Sequence, residues 1–122
     1  MKWTAEQLKT IAENKDLFVS PFREDGTTYG TPTQTWALVV GGNVYVRAAN
    51  GQESRWYRAA ATQKAGRIRV GITYHDVTFE AAGTTDEAAI DAAYEAKYPG
   101  SSALPTMQGG GPKSASIRIS PR

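Results

Sequence analysis

The run Thr35-Trp36-Ala37-Leu38-Val39-Val40, the pair Gly41-Gly42 and the run Asn43-Val44-Tyr45-Val46-Arg47-Ala48 constrain the fold more than any other stretch of the chain. Two β-rich segments joined by two residues that tolerate positive φ form a hairpin, and the strands of a hairpin are antiparallel. A parallel doubly wound sheet is therefore disfavoured, because its crossovers need roughly a dozen residues or more. Side chains alternate along a strand, so Val44, Val46 and Ala48 share one face while Tyr45, Arg47 and Ala49 share the other. Arg47 is expected to leave the core on the Tyr45 side.

The rest of the chain adds strands and three helices. Ile68, Val70 and Ile72 alternate with Arg67, Arg69 and Gly71; after Thr73-Tyr74 the pattern resumes with His75, Val77 and Phe79, predicting a second hairpin. Leu17 to Phe22 is β-rich and ends in the turn Arg23-Glu24-Asp25-Gly26, with a short strand or loop through Thr33. Ala115, Ile117 and Ile119 alternate in a closing strand. Thr4 and Gln7 form a capping box for a helix reaching Asn14, with Trp3 stapled onto Leu8. A second helix starts with Asn50 as cap, runs through Arg55-Trp56-Tyr57-Arg58 and closes at Gly66. A third opens at the capping box Thr84-Thr85-Asp86-Glu87 and carries Ile90, Tyr94 and Tyr98 at four-residue intervals up to Pro99-Gly100. These elements predict an α+β fold, either a small antiparallel barrel or a sheet with helices at its ends.

At 122 residues the chain is the size of one domain, taken as 1–122. No apolar run reaches the ~20 residues of a membrane span, and the N-terminal residues lack the apolar core of a secretory leader, so a cytoplasmic protein is expected. With no cysteine, thiolate nucleophiles, disulfides and zinc ribbons are excluded. The lone histidine, His75, cannot form a two-histidine metal site; no G-x-S-x-G elbow supplies a serine for it to activate, and a turn or packing role suits it better. Gly109-Gly110-Gly111 lacks the Lys-Ser/Thr ending of a phosphate loop and reads as a connector.

Net charge is only +2, but it is unevenly spread. Arg47, Arg55, Arg58, Lys64, Arg67 and Arg69 face Glu53 alone, whereas residues 70–98 carry six carboxylates against Lys97. Arg55 and Arg58 share a helical face near a helix N-terminus whose free N–H groups favour an anion, so a phosphate or carboxylate site is expected there, with Arg47 at the end of the preceding strand. The bland alternative is a solvated charged face paired with the acidic helix. Trp56 and Tyr57 are candidates to stack on a flat ring, or else pack in the core. Asp91 and Glu95, like charges four apart, suggest an exposed helix face rather than a paired catalytic site.

Tyr29-Gly30-Thr31-Pro32-Thr33, the strand Val44-Tyr45-Val46-Arg47-Ala48-Ala49-Asn50-Gly51 and Ser54-Arg55-Trp56-Tyr57-Arg58 with Gly66-Arg67-Ile68 form a pattern that resembles a small family of unknown function grouped with the flavin-binding split-barrel proteins. The region is also similar to the deazaflavin-dependent nitroreductases. The resemblance implies a small antiparallel split β-barrel with about three flanking helices, binding FMN or a deazaflavin in a groove. Carried over by position, it implies that Arg47, Ala48 and Asn50 face the cofactor, that Ser54, Arg55, Trp56 and Arg58 meet it from the helix, and that Thr31 and Thr33 line the preceding loop. It also implies a homodimer and a small-molecule substrate. The leading expectation is a flavin- or deazaflavin-dependent oxidoreductase in which the cofactor carries the chemistry. The alternative is a non-catalytic binder of nucleic acid or another anionic partner through residues 47–69, with nucleic acid the less favoured partner.

Overall fold

The computed structural model describes residues 2–14, 16–48, 51–82, 87–99 and 115–122. Helix α1 (Ala5–Glu13) begins at the expected box: the Thr4 hydroxyl accepts from the Gln7 amide at 3.1 Å, and the Thr4 amide donates to Gln7 Oε1 at 2.8 Å. The strands are β1 (Leu17–Pro21), β2 (Thr33–Thr35), β3 (Leu38–Val40), β4 (Asn43–Arg47), β5 (Ala65–Val70), β6 (Thr73–Ala81) and β7 (Ser116–Pro121). A single 3-10 turn, Gly51–Glu53, leads into α2 (Arg55–Gln63), and α3 (Glu87–Lys97) lies between β6 and β7.

All pairings are antiparallel, in the order β2-β1-β5-β6-β7-β4-β3. The edge strands β2 and β3 are consecutive in the chain, joined only by Trp36 and Ala37. Three peptide steps reach at most about 11 Å, so the sheet must curl until its two edges nearly meet. The result is the expected α+β architecture, three α-helices and a seven-stranded curled sheet forming a half-barrel among the described residues.

Inside the curl, Val19, Ile68, Val77, Phe79, Ile117, Ile119, Val44 and Val46 form the main core with Ile11 of α1 and Ala60 of α2. Trp3 joins it, donating its indole N–H to the Ile119 carbonyl at 2.9 Å. Outside the curl, α3 covers β3 and β4 with a second cluster of Leu38, Tyr45, Ile90, Tyr94 and Tyr98. Trp36 stacks on Tyr98 there, with ring centroids 4.1 Å apart.

Four expectations are corrected. The run from Thr35 to Val40 is not one strand: Thr33–Thr35 pairs with β1, with Leu17 opposite Thr35, while Leu38–Val40 pairs with β4. The second hairpin turns at Gly71-Ile72, not Thr73-Tyr74; Gly71 takes φ +60°, and Ile72 stands 94% exposed at the tip instead of in the core. The second helix is interrupted at Ser54 and ends at Lys64, in left-handed conformation, before Gly66, which lies in β5. Arg47 does leave the inner core on the Tyr45 side, but α3 covers that side and buries it. The expected cap Asn50, the cap residues Thr84, Thr85 and Asp86, and the connector Gly109–Gly111 lie outside the described residues.

Candidate functional site

The loop after β1 is held by its own polar residues. The Thr28 hydroxyl, then the Thr28 and Thr27 amides, donate to the Asp25 carboxylate and pull its pKa down to about 2. The Arg23 amide donates to the Thr28 carbonyl at 2.8 Å, and its guanidinium donates to the Thr31 hydroxyl at 3.3 Å. An isolated bridge pairs Phe22 with Tyr29 and closes the loop base.

This loop faces α2 across an open cavity of about 640 Å³. Phe22, Arg23, Glu24 and Asp25 line one wall; Arg55, Arg58, Ala59, Thr62 and Gln63 line the other. The α2 set recurs at the spacing of one helix face. Helix α2 is amphipathic, its opposite side fixed by Ala60, fully buried, with Trp56 and Tyr57 packed against the main core. Ser54 occupies the N-cap position in extended conformation, yet its hydroxyl makes no capping hydrogen bond. The first-turn amides of α2 therefore remain uncapped by that side chain, beside the two arginines, where the helix end favours negative charge. Arg58 meets Glu53 at 2.5 Å in an exposed pair, whereas Arg55 forms no ion pair among the described residues.

Of the residues expected at a site, Arg55 and Arg58 line the cavity, Ser54 stands at the N-cap position of the helix that carries them without capping it, and Thr31 is tied to the cavity through Arg23. Thr33 sits half-buried on β2, its hydroxyl donating to the Thr31 carbonyl at 3.3 Å. Trp56 is turned into the core and does not line the cavity. Ala48 is fully buried, its amide donating to the Ala115 carbonyl. Asn50 lies outside the described residues.

Arg47 belongs to a different environment. Its guanidinium meets Asp91 Oδ1 at 2.5 Å, donates to the Ser116 hydroxyl at 3.1 Å and the Glu87 carbonyl at 3.3 Å, and lies over the Tyr94 ring. It is a structural cation that bolts α3 to the outer side of β4, on the sheet face opposite α2. Asp91, half-buried, is accordingly the partner of a buried cation and not simply part of an exposed acidic face. His75 packs edge-on against Trp3, centroids 5.6 Å apart, in the packing role its sequence context favours.

Sequence reasoning missed Phe22, Arg23, Glu24, Asp25, Ala59, Thr62 and Gln63 as groove residues. The helical members were open to detection, since Ala59 and Thr62 lie four and seven positions after Arg55 on the same face. Arg23 carried no such signal, because only the folded loop brings it opposite α2.

A curled antiparallel half-barrel with an arginine-bearing groove between one loop and one helix defines a split-barrel-like α+β protein. Over residues 7–119 the chain matches the family described as "Uncharacterized protein conserved in bacteria (DUF2255)", and it belongs to that family. No curated protein matches it. Among the described residues no helix is long and apolar enough to cross a membrane.

Proposed function

We infer that the protein binds a phosphate-bearing flavin-type cofactor, FMN or a deazaflavin, in the groove between residues 22–25 and α2. The observation that carries this reading is the uncapped N-terminus of α2 with Arg55 and Arg58 beside it, opening onto a cavity of about 640 Å³. That volume falls within the ~300–1,000 Å³ of cofactor sites. The donor set suits the group: Arg55, Arg58, Arg23 and the first-turn amides would hold the phosphate, while Phe22 and Ala59 offer apolar surface to the ring. Such a cofactor supplies hydride transfer when bound; the chain's part is to anchor the anion and orient the ring toward a small-molecule substrate. The resemblance to split-barrel flavoproteins extends the reading to a cytoplasmic homodimeric oxidoreductase.

The test is a fluorescence titration with FMN and, in parallel, a deazaflavin coenzyme, at low and moderate salt. Saturable micromolar binding that survives moderate salt is the expected result, with Arg55→Ala weakening it about tenfold or more, as loss of a charge-assisted contact does, and Arg67→Ala leaving it unchanged. Absence of binding by both cofactors overturns the reading, and equal losses in the two variants point to diffuse electrostatics instead.

A further inference from the structure

The outer surface of the sheet is divided. Over β3 and β4 it is covered by α3; over β1, β5 and β6 it is bare of helices, and the loop through Tyr29 folds over part of it and buries Ser20. Across that bare portion the strand register sets Phe18 opposite Arg69 and Arg69 opposite Tyr74. The next outward position on β5 is Arg67, whose guanidinium is sandwiched between two rings, 4.2 Å from the Tyr29 centroid and 4.4 Å from the Tyr74 centroid. Phe22 stacks on Tyr29 at 5.1 Å, and Arg122 lies over Phe22 at 5.4 Å. Arg69 covers the Phe18 ring at 4.4 Å. Arg122, Phe22, Tyr29, Arg67 and Tyr74 thus form one run of stacked planes, ending at Tyr74, which is 55% exposed, with the Arg69–Phe18 pair beside it.

The charge on this face is incompletely matched. Arg118 is paired with Glu80, and Asp76 accepts from the Tyr29 hydroxyl at 2.7 Å with Arg122 at 3.9 Å. Arg67 and Arg69 have no carboxylate within ion-pair distance among the described residues; Arg69 donates to the Gly71 carbonyl, and the Arg67 Nε is buried without a partner. Two cations two residues apart on one strand lie about 6.8 Å from each other, a spacing an extended phosphodiester backbone can follow.

We propose that this face binds a single-stranded polynucleotide, with Tyr74 stacking a base and Arg67 and Arg69 meeting consecutive phosphates. An exposed ring set among cations, as Tyr74 is beside Arg67, is the combination that sequence-tolerant single-strand binding uses, and a duplex hides the base faces such a ring needs. A second copy of the chain is a poor occupant, because a two-fold contact through this patch sets Arg67 and Arg69 against their own equivalents. Neither Arg67, Arg69 nor Tyr74 lines the α2 groove; the two surfaces meet at Phe22, which lines the groove and stacks on Tyr29.

The experiment is fluorescence anisotropy with labelled 15-mers of dT and rU, a 15-base-pair duplex and a poly-glutamate peptide, across a salt series. Expected are saturable binding of both single strands, at least tenfold weaker duplex binding, and a slope of log K on log salt near −1.4 for two phosphate contacts. Tyr74→Ala, at an exposed position, weakens single-strand binding about tenfold, and Arg69→Gln reduces the slope by about 0.7. Arg55→Ala leaves it unchanged, which separates this site from the cofactor groove. The proposal is overturned by no binding, by equal binding of the peptide or duplex, or by binding indifferent to Tyr74→Ala in a variant whose thermal melt matches the wild type.

Discussion

Two arginines of the same basic stretch behave oppositely once folded. The Arg47 side chain is 0% exposed and held by Asp91, Ser116 and the Glu87 carbonyl, whereas the Arg58–Glu53 pair is 63% and 83% exposed. Losing the Arg47 guanidinium strands buried acceptors, so Arg47→Ala should lower the unfolding free energy by about 3 kcal/mol in a urea titration. Arg58→Ala should leave the midpoint where it is. Alternation along β4 made the direction of Arg47 legible in the sequence. Its burial was not, because a helix forty residues later decides what covers that side. Lys97 is a second residue whose behaviour comes from packing. Its amine donates to the carbonyls of Ile11 and Ala37, and burial pushes its pKa down to about 8, against the opposing pull of Asp16. From about 8 up to the ordinary 10.5 the unfolded chain holds more protons than the folded one, so the stability Lys97 contributes rises with pH through that window. The difference in unfolding free energy between wild type and Lys97→Met should therefore grow from pH 7.5 to pH 10. A constant difference refutes the assignment.

Among the elements, the glycines of the β-strands and turns separate into two kinds. Gly41 and Gly42 take φ +57° and +81° with nothing near the position of an added Cβ, so they serve the turn alone. At Gly66 the φ is ordinary, but a Cβ would lie 2.4 Å from the Ser20 carbonyl oxygen and 2.7 Å from Pro21 Cα. The obstacle is the backbone of β1, which cannot rotate away. Gly66→Ala should cost about 1–3 kcal/mol by forcing β1 from β5, read as a lowered thermal midpoint. The Gly41-Gly42 hairpin was legible because its signal is local. The division of residues 35–40 was not: β-propensity is continuous through that run, and the break at Trp36-Ala37 exists because Thr35 finds Leu17 while Leu38 finds Tyr45. The turn at Gly71-Ile72 sits between the two cases. Its glycine was visible, but the apolar alternation through Ile72 outweighed it.

For the whole molecule, the curl distributes the basic half of the chain over three environments: Arg55 and Arg58 on the groove, Arg67 and Arg69 on the bare outer face, Arg47 beneath α3. A linear charge count merges these, which is why the fold class was legible but, of the nine residues lining the groove, only Arg55 and Arg58 were. Strand β7 shows how the same curl acts in time. It is the last strand in the chain, yet it lies between β6 and β4 and supplies Ile117 and Ile119 to the main core. On the ribosome, the hairpins β3-β4 and β5-β6 emerge with the seam between them open and their apolar inner sides exposed to water. Cooperative folding must wait until residues 116–121 are free to enter the seam, because until then β6 and β4 have no strand between them.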